Sequence, residues 1–146
     1  MSDLRSSPPL GLRQTRQRDA VLRVIAEADG PLSVPEIHER ARREHAAIGL
    51  ATIYRTIKLL QEGGQILGVI LPSGESRFET AQRGHHEHFQ CRGCQHVFDL
   101  HTCPLQLPRN AVIDGGFIVE DHELTLYGLC PGCAPKLNSE RGLGII

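Results

Sequence analysis

Four of the five cysteines form two Cys-x-x-Cys pairs that are separated by 35 residues. Zinc prefers four tetrahedral ligands, and a tight Cys-x-x-Cys turn can place two thiolates on one ion. Each pair contains a glycine, Gly93 or Gly132, which we expect to permit the turn. The alternative is four unligated or redox-active thiols. We predict a closed structural zinc site that leaves no position for a substrate, with the ligands Cys91, Cys94, Cys130 and Cys133.

A histidine-rich segment, His85-His86-Glu87-His88, ends two residues before the first cysteine pair. Side chains alternate along a strand, so His86 and His88 would share one face while His85 and Glu87 share the other. Residues two apart on one face are roughly 7 Å apart, so each pair could share a metal ion. The alternative is a group of histidines on a solvent-exposed strand. That alternative does not explain the acidic and thiol groups nearby in sequence, which are Glu79, Asp99 and Cys103.

The composition limits where the protein works and what it binds. The chain has 146 residues, of which 40% are hydrophobic and 4% aromatic, so two small domains would each need a metal or a partner subunit. No apolar run approaches the roughly 18 residues of a membrane helix, and the N-terminus has no signal-peptide core. We therefore expect a cytoplasmic protein with reduced thiols and no membrane partner. The net charge of −1 means that DNA binding would require a local basic face.

Three helices are predicted in the first half of the chain. Apolar residues recur at helical spacing from Arg13 to the break at Gly30-Pro31. Ser33 and Glu36 have the spacing of a capping box that opens a second helix. A third helix is predicted at about residues 51–62, with its apolar residues facing inward.

Two short apolar runs around Pro72-Ser73-Gly74-Glu75 predict a β-hairpin after the helices. Three helices followed by a hairpin is the order of a winged helix-turn-helix, whose third helix enters the major groove. We predict an α+β protein with a winged-helix DNA-binding domain at 1–79, a linker at 80–84 and a small zinc-containing α/β domain at 85–146. The last domain is expected to hold a short helix at most within 102–115, and strands at 86–91, 96–100 and 117–127.

The third helix carries side chains that could contact DNA. With Ile53 and Ile57 inward, the remaining positions form an outer face and its edge. Arginine can pair with guanine, a threonine methyl can touch thymine, and tyrosine and lysine can bind phosphates. The alternative is a solvated helix face. The candidate DNA contacts are Thr52, Arg55 and Thr56 on the face, and Tyr54 and Lys58 at its edge.

These features together resemble the ferric uptake regulator (Fur) family over residues 12–134. The resemblance rests on the winged helix, the linker, His-His-Glu-His before Cys-x-x-Cys, and the later Leu124-Thr125-Leu126-Tyr127-Gly128-Leu129-Cys130. Members are homodimeric, metal-dependent DNA-binding repressors that sense iron, zinc, manganese or peroxide. The resemblance implies a homodimer with a hinge at 80–84 and a small α/β dimerisation domain at 85–146. It also implies that this dimer binds palindromic double-stranded DNA operators of metal-homeostasis genes when it is loaded with metal.

The resemblance also implies roles for particular residues. It assigns the structural zinc to the four cysteines, and it points to Tyr54, Arg55 and Arg13 as DNA contacts. It places a regulatory metal site at the hinge, on Glu79, His86, His88 and Asp99. An additional site in the dimerisation domain falls on His85, Glu87 and His122, with its fourth ligand left open.

Two departures from the family pattern bear on the metal. Pro31 stands where many iron- and peroxide-sensing members have a regulatory histidine, and Glu79 stands where several zinc-sensing members have cysteine. Cys103, four residues past Asp99, could complete a softer hinge site that favours zinc; alternatively it is a small buried hydrophobe. We favour Zn²⁺ as the regulatory ion, as in zinc uptake regulators, and Fe²⁺, Mn²⁺ or peroxide sensing is the alternative.

Two other classes of protein share single features with this sequence. His85-His86-Glu87 followed by Cys130-Pro131-Gly132-Cys133 loosely resembles the motif of zinc deaminases. Residue 129 is leucine where that motif has proline, and the Cys91/Cys94 pair would have no role, so we do not expect an enzyme. A zinc-ribbon module that binds protein would not need the N-terminal winged helix.

Overall fold

A computed structural model describes the backbone of residues 10–83 and 86–134, and the side chains of residues 14–82 and 86–134. The chain divides into two compact units, Met1–Arg83 and Gly84–Ile146. The predicted hinge at 80–84 spans this division. Among the described residues, no helix is both long enough and apolar enough to cross a membrane.

Residues 10–83 of the first unit contain three α-helices: α1 (Leu10–Glu27), α2 (Val34–Ala41) and α3 (Leu50–Glu62). The capping box of α2 is confirmed, because the Glu36 amide donates to Ser33 Oγ at 3.3 Å and the Ser33 amide donates to Glu36 Oε1 at 3.2 Å. These reciprocal bonds satisfy donors that the first helical turn would otherwise leave unpaired.

The apolar spacing of the three helices produces the core of this unit. Ile25 from α1, Ile37 from α2 and Ile53 from α3 are fully buried in one cluster. The inward-facing stripe predicted for α3 is confirmed, because Ile57 and Leu60 are buried as well. The three helices therefore pack through one side each, and their polar sides face outward.

A β-hairpin follows the helices and forms the wing. Its strands, β1 (Ile66–Ile70) and β2 (Ser76–Thr80), pair antiparallel. Gly74 has a φ of 88° in the connecting turn, a left-handed conformation that favours glycine. Backbone hydrogen bonds of 2.9 and 2.8 Å between Leu32 and Phe78 attach β2 to the segment before α2. This order of elements confirms the predicted winged helix-turn-helix.

The second unit contains a three-stranded sheet of mixed direction. The strand order is β4 (Val97–Leu100), β3 (Glu87–Cys91) and β7 (Thr125–Gly128). The central strand β3 pairs antiparallel with β4 and parallel with β7. A separate antiparallel hairpin is formed by β5 (Ala111–Ile113) and β6 (Phe117–Val119).

The hairpin corrects two predictions about the second unit. Within 102–115 only a short helix was expected, whereas the described structure has strand β5 followed by a short 3-10 helix at Asp114–Gly116. The β-branched Val112 and Ile113 pair with β6 across a turn in which Gly115 and Gly116 have φ values of 85° and 80°. The predicted single strand at 117–127 is two strands, because the segment 120–124, which is polar except for Leu124, separates β6 from β7.

Candidate functional site

The parallel pairing of β3 with β7 brings the two Cys-x-x-Cys turns together. In the register of this pair, Cys91 lies opposite Gly128, and Cys130 follows two residues later. Parallel strands end at the same edge of a sheet. Both cysteine turns therefore begin at that edge, although 35 residues separate them in sequence.

The four sulfurs have the geometry that a zinc ion requires. All four lie within 4.8 Å of one another, and Cys94 Sγ is 4.0 Å from Cys130 Sγ. Two thiolates on a tetrahedral zinc with Zn–S bonds of about 2.3 Å are separated by about 3.8 Å. The donor set thus fits a four-coordinate zinc with no open position.

The backbone around Cys91 stabilises its thiolate form. The amides of Cys130 and Cys94 donate to Cys91 Sγ at 3.3 and 3.5 Å, and these bonds lower the pKa of the Cys91 thiol to about 6. In contrast, the neighbouring sulfurs of Cys130 and Cys91 raise the pKa of Cys133 to about 12. A divalent cation among the sulfurs would relieve this repulsion, because it stabilises all four thiolates at once.

The two glycines in the cysteine turns have different surroundings. A Cβ atom on Gly93 would lie 2.9 Å from Cys133 Sγ and 3.0 Å from its Cβ. A Cβ atom on Gly132 would meet only Cys130 Sγ, at the ordinary distance of 3.8 Å. Neither glycine has a positive φ. The requirement at residue 93 is therefore close approach to Cys133, and not the turn conformation that the sequence suggested.

A second group of ligand-type side chains, the two-histidine cluster, consists of His86, His88 and Asp99. His88 and Asp99 are direct partners in the antiparallel pairing of β3 with β4, so their side chains share one face of the sheet. Asp99 Oδ1 lies 3.1 Å from His86 Nε2 and 3.5 Å from His88 Nε2. Nitrogen and oxygen ligands on one tetrahedral zinc are about 3.4 Å apart. The three side chains fit a shared cation.

Glu79, the remaining residue assigned to the hinge site, lies on β2 in the first unit. It pairs with Leu67 across the wing hairpin, and its side chain is 8% exposed. Its membership of the regulatory site stays a prediction.

A third group, the mixed cluster, consists of Glu87, Cys103 and His122. Glu87 Oε1 lies 2.8 Å from His122 Nε2, and Cys103 Sγ lies 3.4 Å from the same nitrogen. Cys103 therefore lies with Glu87 and His122, and not with Asp99, beside which it was predicted. The reason is that β4 ends at Leu100, so Cys103 is no longer part of the strand that carries Asp99 and does not follow its side-chain alternation. His85 lies outside the described residues.

The third helix, α3, presents polar side chains on its exposed side. Tyr54 is 55% exposed, and Arg55 and Lys58 are also exposed. Thr52 is half-buried and accepts a hydrogen bond of 3.3 Å from Arg55 Nη2. These four predicted DNA contacts are thus available at the surface of the first unit.

Thr56 is a correction, because it does not lie on the outer face of α3. It is 6% exposed, and its hydroxyl donates to the Thr52 carbonyl at 2.7 Å. This bond to the carbonyl four residues earlier directs the hydroxyl along the helix. Arg13 lies within α1, and its side chain is outside those that the structure describes.

Arg18 is a basic residue outside the set of predicted DNA contacts. It lines a groove of about 560 Å³ in the first unit, together with Thr52 and Arg55 from α3. Its neighbour on α1, Arg23, instead pairs with Glu44 at 3.2 Å. The signal that separates the two arginines is helical phase, since residues 18 and 23 are five positions apart and face different sides.

A sequence model of the ferric uptake regulator family matches residues 9–127 of this chain. The chain belongs to the ferric uptake regulator family. Members of the family are metal-responsive transcriptional regulators, and the predicted family and fold class are both confirmed.

Individual relatives agree with this assignment. The ferric uptake regulation protein of Bordetella parapertussis is 30% identical over 135 residues, which cover 91% of this chain and 97% of that protein. The ferric uptake regulation protein of Brucella suis biovar 1 is 36% identical over 118 residues, with 80% and 84% covered.

Solved structures show the same fold. A zinc-bound manganese uptake regulator matches with a TM-score of 0.71 at 30% identity, covering 82% of this chain and 92% of that chain. The ferric uptake regulator of Vibrio cholerae matches with a TM-score of 0.61 at 26% identity, covering 78% and 88%.

Proposed function

We propose that this chain is a zinc-responsive repressor that binds palindromic operators as a metal-loaded homodimer. The observation that carries the proposal is the separation of two kinds of ligand set. Four thiolates converge in the closed cluster that follows β3 and β7. Two imidazoles and a carboxylate converge independently between β3 and β4. The first set suits a permanent structural zinc, and the second suits an exchangeable ion.

The two-histidine cluster lies at the beginning of the second unit, directly after the predicted hinge. Glu79 is seven residues before His86 in sequence, at the end of the wing. An ion held by Glu79, His86, His88 and Asp99 would connect the DNA-binding domain to the dimerisation domain. If the ion binds one arrangement of the two domains more tightly than the others, it favours that arrangement. Where this arrangement also binds DNA best, the metal raises the affinity for DNA by a factor that the coupling free energy between the two sites sets.

The exposed side of α3 is the proposed DNA-reading surface. Tyr54, Arg55, Lys58 and Thr52 are the direct contacts, and Arg13 is a further contact from α1. In a winged helix-turn-helix the third helix enters the major groove, where arginine can recognise guanine and lysine can bind phosphate. Two such helices in a dimer would read the two half-sites of a palindrome.

The apolar surface of the β5–β6 hairpin supports the homodimer. Val112, Phe117 and Ile118 are large apolar residues that are more than half exposed. A two-stranded hairpin is marginally stable by itself, and contiguous exposed apolar side chains are typical of protein interfaces. We propose that this hairpin packs within the dimer.

Zinc is proposed as the sensed ion because the four hinge ligands are two imidazoles and two carboxylates, a set that suits tetrahedral zinc. Fe²⁺ is the second candidate. Two histidines and one carboxylate, as in the cluster of His86, His88 and Asp99, are also the ligands of many non-haem iron sites.

A metal titration tests the function and the choice of ion. Protein that retains one zinc per chain but has lost exchangeable metal is titrated with buffered Zn²⁺, with Mn²⁺, and anaerobically with Fe²⁺. The readout is the affinity for a duplex selected by the zinc-loaded protein from a random DNA pool. Zinc should raise this affinity at the lowest free-ion concentration. A lower effective concentration for Fe²⁺ would favour the second candidate, and no response to any ion would refute metal-dependent repression.

A further inference from the structure

The strand order brings two side chains that are distant in sequence, Cys103 and His122, to Glu87 at the beginning of β3. The antiparallel strand β4 ends beside that point, and Cys103 follows β4 by three residues. The parallel strand β7 begins beside it, and His122 precedes β7 by three residues. A hydrogen bond of 3.0 Å from the His88 amide to the Leu124 carbonyl fixes the segment before β7 against β3. The convergence of Glu87, Cys103 and His122 therefore follows from the sheet topology.

The three polar atoms converge on one point. Glu87 Oε1 and Cys103 Sγ both approach the same nitrogen of His122, Nε2, at 2.8 and 3.4 Å. In a Cys-His-Glu catalytic arrangement the thiol and the carboxylate would contact different ring nitrogens. A single imidazole nitrogen can hold only one proton, so it cannot donate to both partners. The geometry matches three ligands around a common centre.

We propose that Cys103 is a thiolate ligand of the additional metal site, which becomes a mixed centre of one thiolate, one imidazole and one carboxylate. The inference rests on the proposed metal-responsive function, since it extends the site assigned to Glu87 and His122. On binding, the thiol proton is released and the ion takes its place beside sulfur. The ligand atoms already lie within 4.8 Å of one another, so no large rearrangement is required.

The thiolate determines which ions the mixed cluster prefers. Sulfur ligands favour zinc over manganese, whereas sites of carboxylates and water suit manganese. The two-histidine cluster has no described sulfur ligand, and Asp99 supplies its carboxylate. The two exchangeable sites should therefore differ in selectivity, with the mixed cluster the more selective for zinc.

The burial of the cluster agrees with this role. Glu87 is 2% exposed, and a buried carboxylate is stable only with compensating partners such as a cation. Cys103 is half-buried, so an ion can reach the sulfur from solvent. A groove of about 340 Å³, lined by His122 and the 107–109 and 119–121 segments, borders the same histidine.

Cobalt substitution tests the proposal, because Co²⁺ bound to a thiolate gives a charge-transfer absorption band in the near ultraviolet. The full chain, with one zinc per chain in the four-cysteine site, is titrated with Co²⁺ while its zinc content is monitored. The wild-type protein should develop the band, and Cys103→Ser should lack it. The zinc affinity of this site should fall by at least about 10- to 100-fold in Cys103→Ser. That is the loss typical of removing a group that only hydrogen-bonds to a metal ligand, and a direct ligand should matter no less.

Two further variants assign the band to this cluster. His86→Ala/His88→Ala should keep the Cys103-dependent band, because it removes only the two-histidine cluster. His122→Gln should lose the band. The proposal is overturned if Cys103→Ser retains the band, or if the band depends on His86 and His88 and not on His122. The measurement does not involve DNA, so it is independent of the test of repressor function. Cys103 can prove to be a ligand in a protein that is not a metal-dependent repressor, and a metal-dependent repressor can lack this ligand.

Discussion

Glu87 and His88 are consecutive residues of β3, yet their side chains belong to different ligand clusters. Glu87 Oε1 lies 2.8 Å from His122 Nε2, whereas His88 Nε2 lies 3.5 Å from Asp99 Oδ1 on the neighbouring strand. The alternation of side chains along a strand separates them to opposite faces. One peptide bond thus joins the two proposed exchangeable sites, and β3 ends at the structural cysteine Cys91.

The wing is attached to α2 through a buried ion pair, and its loss should destabilise the first unit. Arg77 on β2 is 4% exposed and lies 2.6 Å from Glu36. Arg77→Met should lower the free energy of unfolding by about 3 kcal/mol. This is the low end of the range for breaking a buried ion pair, and we expect it because Glu36 is partly exposed to solvent. The matched control is Arg23→Met, which breaks the exposed Arg23–Glu44 pair and should cost less than about 1 kcal/mol. Equal losses in urea unfolding would contradict the structural role of Arg77.

A methyl group on Gly93 should damage the structural zinc site, whereas the same change at Gly132 should not. The added Cβ of Gly93→Ala would lie 2.9 Å from Cys133 Sγ, and that of Gly132→Ala would lie 3.8 Å from Cys130 Sγ. Gly93→Ala should therefore lose zinc to a chromogenic chelator faster than wild type. Gly132→Ala should match wild type, and equally fast release from both variants would show that crowding of Cys133 is not the cause.

The zinc-free second unit should become less stable as the pH falls from about 8.5 to 7. Its Cys91 has a pKa of about 6 in the folded chain against an ordinary value of 9.0, so the folded state favours the thiolate. This contribution is complete above pH 9.0 and is lost as the pH falls through 6. The raised pKa of Cys133, about 12, favours its neutral thiol and reduces stability only as the pH rises above 9.

The urea midpoint of chelator-treated protein measures this effect. The interval from about pH 8.5 to 7 lies above the ordinary pKa of histidine, so imidazole titration contributes little. Zinc-loaded protein is the control, since its cysteines stay ligated at both pH values. A midpoint of the zinc-free second unit that is the same at both values would contradict the account of Cys91.

Removing the apolar character of the β5–β6 hairpin should dissociate the proposed dimer. Ile118 on β6 is 64% exposed, and Ile118→Glu would place a charge in the proposed interface, where burial without a partner is unfavourable. Ile70→Glu is the control, because Ile70 is 74% exposed on the wing hairpin. Sedimentation velocity should give a monomer for the first variant and a dimer for the second. A dimer in both would place the interface elsewhere.

The helices of the first unit could be predicted from the sequence, because capping residues and apolar periodicity are local features of the chain. Ser33 and Glu36 are three residues apart, and the apolar periodicity of α3 required only neighbouring positions. Thr56 was misplaced because periodicity alone cannot locate the boundary of a buried stripe. Its position next to Ile57 on the buried side depends on how α3 packs in the folded unit, which the order of residues does not specify.

The four-cysteine site was predictable across 35 residues because each Cys-x-x-Cys pair is a recognisable half of a zinc site. From the residues alone, the ligands of the other two clusters were predictable only where they are close in sequence. His86 and His88 share a face by strand alternation, and that spacing was sufficient to pair them. The grouping of Cys103 with His122 was not predictable, because 19 residues separate them. It depends on β4 and β7 flanking β3 in opposite directions, and local patterns do not specify strand order.

The DNA affinity of His86→Ala/His88→Ala tests most directly whether the two-histidine cluster controls DNA binding. The variant and the wild type, each with one zinc per chain in the four-cysteine site, are compared on the selected duplex with and without added Zn²⁺. Wild-type affinity should rise by roughly 5- to 150-fold, the usual range of allosteric coupling. The variant should remain folded and dimeric but show no zinc-dependent increase, and an increase equal to that of wild type would contradict the account.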